Sequence, residues 1–245
     1  MPASTDMPSF HPHHRKGRGI MRKLLSLVLC ILLLSPQGAE AAQTKYVALT
    51  FDDGPSGRYT RQLLEGLRER DVRATFALCG YRMAQFPELT EQIFREGHEI
   101  CCHGYSHAPM KDMSRRDIAR EIDDCQALLP PECNPLFLRP PGGLSSDGVR
   151  QVAGAKRLAI LGWSVDPRDW ATSSTAAIEK AVLDKIRDGD IVLLHDMSDS
   201  SVRAALHIID TLRSRGFRFV TVSELAKLRD VEIQPGKSYC RFPGE

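Results

Sequence analysis

Two apolar stretches of different kinds open the chain. Residues 24–34 are almost unbroken hydrocarbon, ended by Ser35-Pro36-Gln37-Gly38. Residues 46–51, Tyr-Val-Ala-Leu-Thr-Phe, are shorter and lack a polar face, as a strand covered on both sides requires. From there short apolar runs alternate with segments of helical period. Residues 59–70 set Leu63, Leu64 and Leu67 among charges, and 72–78 form a second strand. A helix is expected over 87–96, with Pro87 at its start and Gly97 just past its end, then a strand over 98–102. Ser114 opens an amphipathic helix to about 129 that carries Ile118, Ile122 and Leu128. Further strands fall at 135–138, 157–165, 190–194 and 217–220. Helices are expected over 146–153, 174–187 and 201–215, and a last one begins at Ser223. Strand and helix in alternation imply parallel pairing, because each parallel crossover needs a long connection. The expected fold is α/β, a distorted (β/α) barrel of about seven parallel strands in one domain.

The chain has 245 residues of which 42% are hydrophobic, enough to bury one sizeable core. Its net charge of +2, from 33 basic and 31 acidic side chains, gives no footprint for nucleic acid. Residues 1–42 are a different material. Arg22-Lys23 precede the apolar run, and Ala39-Glu40-Ala41-Ala42 offer a small-residue cleavage site, the pattern of a secretory signal peptide. Met21 is an alternative start. An uncleaved anchor is the alternative, but the run falls short of the ~18–20 residues of a membrane span, and after cleavage no stable span is expected. The expected division is therefore a leader over 1–42, a catalytic domain over 43–230 and a C-terminal tail over 231–245. Of the seven cysteines Cys30 leaves with the leader, and Cys79, Cys101, Cys102, Cys125, Cys133 and Cys240 remain. Export permits disulfides, and Cys125 with Cys133, flanking Pro130-Pro131, is the first pair to test. Cys79 and Cys101 sit in apolar strand contexts and read as buried free thiols.

The chemistry-bearing residues cluster by position. Asp52-Asp53, His103, Arg139, Asp166-Asp169-Trp170 and His195 each lie just past the carboxyl end of an expected strand, the face where α/β barrels hold their active sites. Asp52 and Asp53 are neighbours at a strand end and point to opposite sides, so one can hold a metal while the other serves as a base. The plain alternative is an Asp-Gly-Pro turn closing the strand. His103 and His107, in a loop broken by Gly104 and Pro109, join Asp53 as a two-histidine, one-carboxylate zinc set with a position open for water. Asp52 then takes the proton of that water, with Arg139 holding it ionised and oriented. His195 follows the buried run Ile-Val-Leu-Leu and is placed as a general acid. Asp166 is the candidate to hold its other nitrogen, with Asp169 and Asp196 as rivals. Trp170 and Leu193 would form an apolar wall for a methyl group. His98 and His207 read as structural or surface residues.

These residues resemble the five ordered motifs of the polysaccharide deacetylases of the NodB-homology type, carbohydrate esterase family 4: Thr50-Phe-Asp-Asp-Gly-Pro55, His103-x3-His107, Arg139-Pro-Pro-Gly142, Asp166-x2-Asp169-Trp170 and Leu193-Leu-His195. They span roughly residues 45–225. The resemblance implies a NodB-like barrel and hydrolysis of N-acetyl groups with a divalent metal, zinc first. It implies Asp52 as base, Asp53, His103 and His107 as ligands, Arg139 orienting the base, Asp166 supporting the acid His195, and Trp170 and Leu193 as the acetate pocket. Gly142 stands where the family commonly has tyrosine, whose backbone N–H helps hold the oxyanion. Glycine keeps that N–H but removes a ring, so a more open groove is expected. The expected substrate is an N-acetylated amino-sugar polymer, peptidoglycan N-acetylglucosamine first, with chitooligosaccharide or acetylxylan deacetylation, or a sugar-binding pseudoenzyme, as alternatives. A monomer acting outside the cytoplasm, without nucleic-acid partners, completes the expectation.

Overall fold

The structure, a computed structural model, describes residues 44–244 and two isolated positions near the start; the expected signal peptide lies outside the described residues. Strand β1 (Lys45–Gly54) leads into helix α1 (Arg58–Glu69), then β2 (Thr75–Leu78), α2 (Gly80–Gln85), α3 (Pro87–Arg95) and β3 (Glu99–Cys102). Next come α4 (Arg115–Gln126), β4 (Phe137–Leu138), α5 (Asp147–Ala155), β5 (Ala159–Leu161) and α6 (Thr175–Leu183). The chain continues through β6 (Asp190–His195), α7 (Asp199–Ser214), β7 (Phe217–Phe219), α8 (Val222–Leu228) and β8 (Ser238–Tyr239). The strand order is β6-β1-β2-β3-β4-β5-β8, and β7 pairs with the first residues of β1. Every pairing between these strands is parallel. The sheet curls until Val165, just past β5, bridges to Val192 of β6. The expected distorted barrel is therefore present, closed at one seam by a single bridge.

Alternation along the strands sorts the core into two layers. Val47, Leu49 and Phe51 of β1 face outward and pack with Leu63, Leu64 and Leu67 of α1 in the larger cluster. Ala48 faces inward with Ala77, Cys101, Phe137, Ala159 and Ile191, and α8 adds Val222, Leu225 and Ala226 to this interior cluster. Small residues on several inner faces leave the barrel mouth room for larger polar groups. In register, Thr50 lies opposite Thr75 and Leu193, and Asp52 lies opposite Ala77 and His195.

The helix starts follow local chemistry. Ser114, Ser146 and Ser174 each accept a hydrogen bond from the backbone N–H three residues on, and Thr221 with Glu224 forms a capping box at α8. Helix α2 was not anticipated, because Gly80-Tyr-Arg-Met-Ala-Gln85 carries no helical apolar period.

Two expectations are corrected. The segment beyond Asp230 is no free tail: β8 pairs with β5, Phe242 is buried, and its N–H donates to the Gly189 carbonyl at 2.8 Å. The rings of Tyr239 and Phe242 stack at 5.5 Å, so two aromatic residues in a polar stretch are enough to dock it. The Cys125–Cys133 disulfide is also absent, and all six cysteines from Cys79 to Cys240 are free. Cys125 is buried on the inner side of α4, where its thiol donates to the Leu78 carbonyl at 3.6 Å, while Cys133 is only half-buried in the loop beyond. Cys79 and Cys101 are buried free thiols, as their strand contexts implied.

Candidate active site

The inward-facing positions at the strand ends converge on the barrel mouth. Asp52 continues the inner face of β1, and the same parity delivers His103 after β3, Arg139 after β4 and His195 at the end of β6. Asp53 should point away from Asp52 by simple alternation. Instead the register shifts between Asp52 and Gly54, and Asp53 takes a left-handed φ of 70°. Aspartate tolerates that region better than most residues, so the bulge turns both carboxylates toward the mouth.

Arg139 is completely buried and tied on several sides. Its Nη1 donates to Asp52 Oδ1 at 2.5 Å and to Thr50 Oγ1 at 2.8 Å, and its Nη2 donates to the Gly162 carbonyl at 2.9 Å. A buried, charge-assisted bond of this kind fixes the orientation of Asp52.

Asp53 Oδ1 lies 3.2 Å from His103 Nε2 and 3.0 Å from His107 Nε2. His103 is nearly fully buried, and its Nδ1 is 2.6 Å from the Arg139 carbonyl, which can only accept. Nδ1 therefore carries a ring proton, and Nε2 is the nitrogen turned toward the carboxylate. Asp53 Oδ1 is itself buried without a properly oriented hydrogen-bond partner. Two electron-rich atoms this close need positive charge between them, so the donor set fits a divalent cation. Burial opposes ionisation of Asp53, but the two imidazoles outweigh it and hold the carboxyl well below the usual range. The Asp53 carboxylate beside it, opposed by burial, raises the pKa of His107.

His195 Nδ1 is 2.8 Å from Asp169 Oδ1, and its backbone N–H donates to Asp169 Oδ2 at 2.8 Å. Asp169, not Asp166, supports this imidazole. Arg168 between them takes a φ of 53°, and its N–H donates to Asp166 Oδ1 at 2.7 Å, so Asp166 closes its own loop and faces the cavity beside the histidine. Burial disfavours the charged His195, yet its bond to Asp169 and the charges of Asp169, Asp52 and Asp53 prevail and raise it to about 9. Asp196, the other rival, points away behind the Asp52-Asp53 turn. Its carboxylate accepts from Thr60 Oγ1, and burial raises it to about 6.

These groups share a cavity of about 430 Å³ that Gly142, Gly143, Trp163, Asp166, Trp170 and Leu193 also line. Leu193 is a buried wall, whereas Trp170 is 63% exposed and stands at the rim. Gly142 has a φ of 68°, and a Cβ there would meet only Leu144 Cγ at 4.0 Å, so this side is open. Two neighbours escaped the sequence reading. Trp163 lies inside the expected fifth strand, and its ring is 5.7 Å from the Arg139 guanidinium. Cys79 follows β2 with the parity of Ala77, and it is the inward residue of the one central strand that had supplied no candidate. The same alternation that selects His103 would have found it. His98 is structural, as expected: Ala74 N–H donates to its Nδ1 at 3.2 Å and burial lowers it to about 4. His207 is on the surface beside Glu179 at 2.8 Å.

The curled parallel barrel and its mouth have counterparts among known proteins, and so does the sequence. Residues 39–160 match the family described as polysaccharide deacetylase. Over 191 residues the chain is 38% identical to a peptidoglycan-N-acetylglucosamine deacetylase of Bacillus cereus, covering 76% of this chain and 90% of that one. It is 34% identical over 198 residues to a chitooligosaccharide deacetylase of Sinorhizobium fredii, covering 74% and 91%. It also matches longer relatives, including one of whose length it spans 43%. Among solved structures, a family 4 acetyl xylan esterase from Clostridium thermocellum in complex with a cobalt ion superposes with a TM-score of 0.76 at 34% identity, covering 82% of this chain and all of that one. The chain belongs to the polysaccharide deacetylase family.

Proposed function

We propose that the protein is an exported, metal-dependent deacetylase of N-acetylated amino-sugar polymers, with peptidoglycan N-acetylglucosamine as its substrate. The observation that carries this reading is the opposition, across one cavity, of Asp52 locked to Arg139 and His195 locked to Asp169. A divalent cation held by Asp53, His103 and His107 would polarise the acetyl carbonyl and activate a water. Asp52, free of that ligation, accepts the proton of the attacking water. Arg139 keeps Asp52 aimed while it does so. His195, protonated near neutral pH through Asp169, gives its proton to the departing amine nitrogen, without which an amide would not cleave. Leu193 and Trp170 flank the place of the acetyl methyl, and the open side at Gly142 admits the chain of the polymer.

The substrate follows the Bacillus cereus relative, and the signal-peptide pattern of residues 1–42 suits work on the cell envelope. Acetate release by the zinc-loaded protein tests the reading on peptidoglycan, chitin oligomers and acetylated xylan. Release from peptidoglycan is expected, and Asp53→Ala and His195→Ala should each lower it by about 100-fold or more. Release from chitin or xylan alone would reassign the substrate, and zinc binding without any release would identify a sugar-binding pseudoenzyme.

A further inference from the structure

The barrel mouth contains a donor that the deacetylase reading leaves unused. Carboxylate oxygen of Asp53, Sγ of Cys79 and an imidazole nitrogen of His103 all lie within 4.8 Å of one another. We propose that Cys79 is a fourth protein donor at this centre, its Sγ joining Asp53, His103 and His107 around a thiophilic divalent cation.

Three observations carry the assignment. Cys79 is wholly buried, and among the described residues its thiol makes no hydrogen bond, whereas the thiols of Cys101 and Cys125 donate to carbonyls at 3.5 and 3.6 Å. Its backbone is fixed: its N–H donates to the Gly54 carbonyl at 3.1 Å, and its own carbonyl accepts from Arg82 and Met83 at 3.1 and 3.0 Å. The thiol is thus held in place by main-chain bonds to the Asp53 turn on one side and to α2 on the other. Nε2 of the buried His103 and the unpartnered Oδ1 of Asp53 supply the remaining electron-rich atoms of the cluster. Ligation at about 2.0–2.3 Å brings donors to under about 4 Å from one another, so Asp53, Cys79 and His103 contract by up to roughly an ångström, with His107 joining them from its place 3.0 Å from Asp53 Oδ1.

On ligation the Cys79 S–H bond breaks, its proton passes to solvent, and the sulfur binds as thiolate. A soft donor shifts preference toward zinc, cobalt and cadmium and away from magnesium and manganese. Four protein donors fill a tetrahedron, so a water joins only when coordination expands to five or when Cys79 stands off.

The inference rests on the metal reading above, and cobalt(II) separates the two. Titration of the metal-free protein is followed by visible d–d absorption, which reports occupancy, and by near-ultraviolet sulfur-to-cobalt charge transfer, which reports a thiolate. Both bands are expected in the wild type. In Cys79→Ser and in Cys79→Ala the d–d band should remain while charge transfer disappears, and cadmium affinity should fall by about tenfold or more relative to manganese. Full cobalt occupancy without charge transfer in the wild type, or a charge-transfer band that survives both substitutions, would overturn the role of Cys79 alone. Absence of any bound cobalt would overturn the metal reading with it.

Discussion

Asp166 and Asp169 are three residues apart, and only one of them touches His195. Both follow the same strand, and both are short carboxylates in a polar loop, so residue type and spacing do not separate them. The choice is made by backbone: the left-handed turn at Arg168 folds Asp166 onto its own loop and presents Asp169 to His195. The consequence can be measured as a pH profile. His195 acts as an acid only while it carries its proton, and its pKa is raised to about 9, so activity is lost as pH rises through that value. Asp169→Asn removes the main raising influence and should bring the alkaline limb down toward the ordinary histidine range near ~6.5. Asp166→Asn should leave that limb in place. Equal displacement by both substitutions would contradict the assignment. Asp52, Asp53, His103, Arg139 and His195 were legible because each combines a chemistry-bearing side chain with a strand-end position. Cys79 was passed over because an apolar neighbourhood read as sufficient reason for a buried thiol.

Among the elements, starts were easier to read than ends. Ser114, Ser146 and Ser174 announce α4, α5 and α6 because a side-chain oxygen satisfies an otherwise unpaired N–H wherever the helix finally packs. Helix α6 stops at Leu183, short of the periodic segment that continues to 187, because the next residues turn toward β6. The extra turn in β1 has no sequence period at all. Its geometry depends on Gly54, where an added Cβ would lie 2.7 Å from the buried Asp196 carboxylate. Gly54→Ala should therefore destabilise the fold by roughly 1–3 kcal/mol and reduce turnover, since the displaced turn carries both aspartates. Chemical denaturation alongside acetate release checks both effects, and an unchanged midpoint with full activity would show that the turn yields freely.

For the whole molecule, strand alternation predicted the barrel, but its termination could not be read from local pattern. The last segment is polar on average, and its two aromatic residues gain their meaning only from the β5 edge and the floor beside Gly189. A catalytic unit ending at residue 230 would leave that edge uncovered. Phe242→Ala should cost about 3–5 kcal/mol of stability, seen as a lowered unfolding midpoint, with the catalytic pH profile unchanged in the protein that remains folded. Full stability of this variant would make the segment dispensable.

Asp52 and His195 face one another across a rung of the β1–β6 ladder. The spacing of their two backbones is thus a property of strand pairing, about 4.8 Å from strand to strand. It is a ruler built into the last rung of the β1–β6 ladder. In the proposed function, substrate preference is set elsewhere, by the loops that bear Gly142, Trp163 and Trp170 at the edge of the cavity. Those loops can be rewritten by evolution or by an engineer for a different polymer, and the spacing of the two strands that carry Asp52 and His195 will not change.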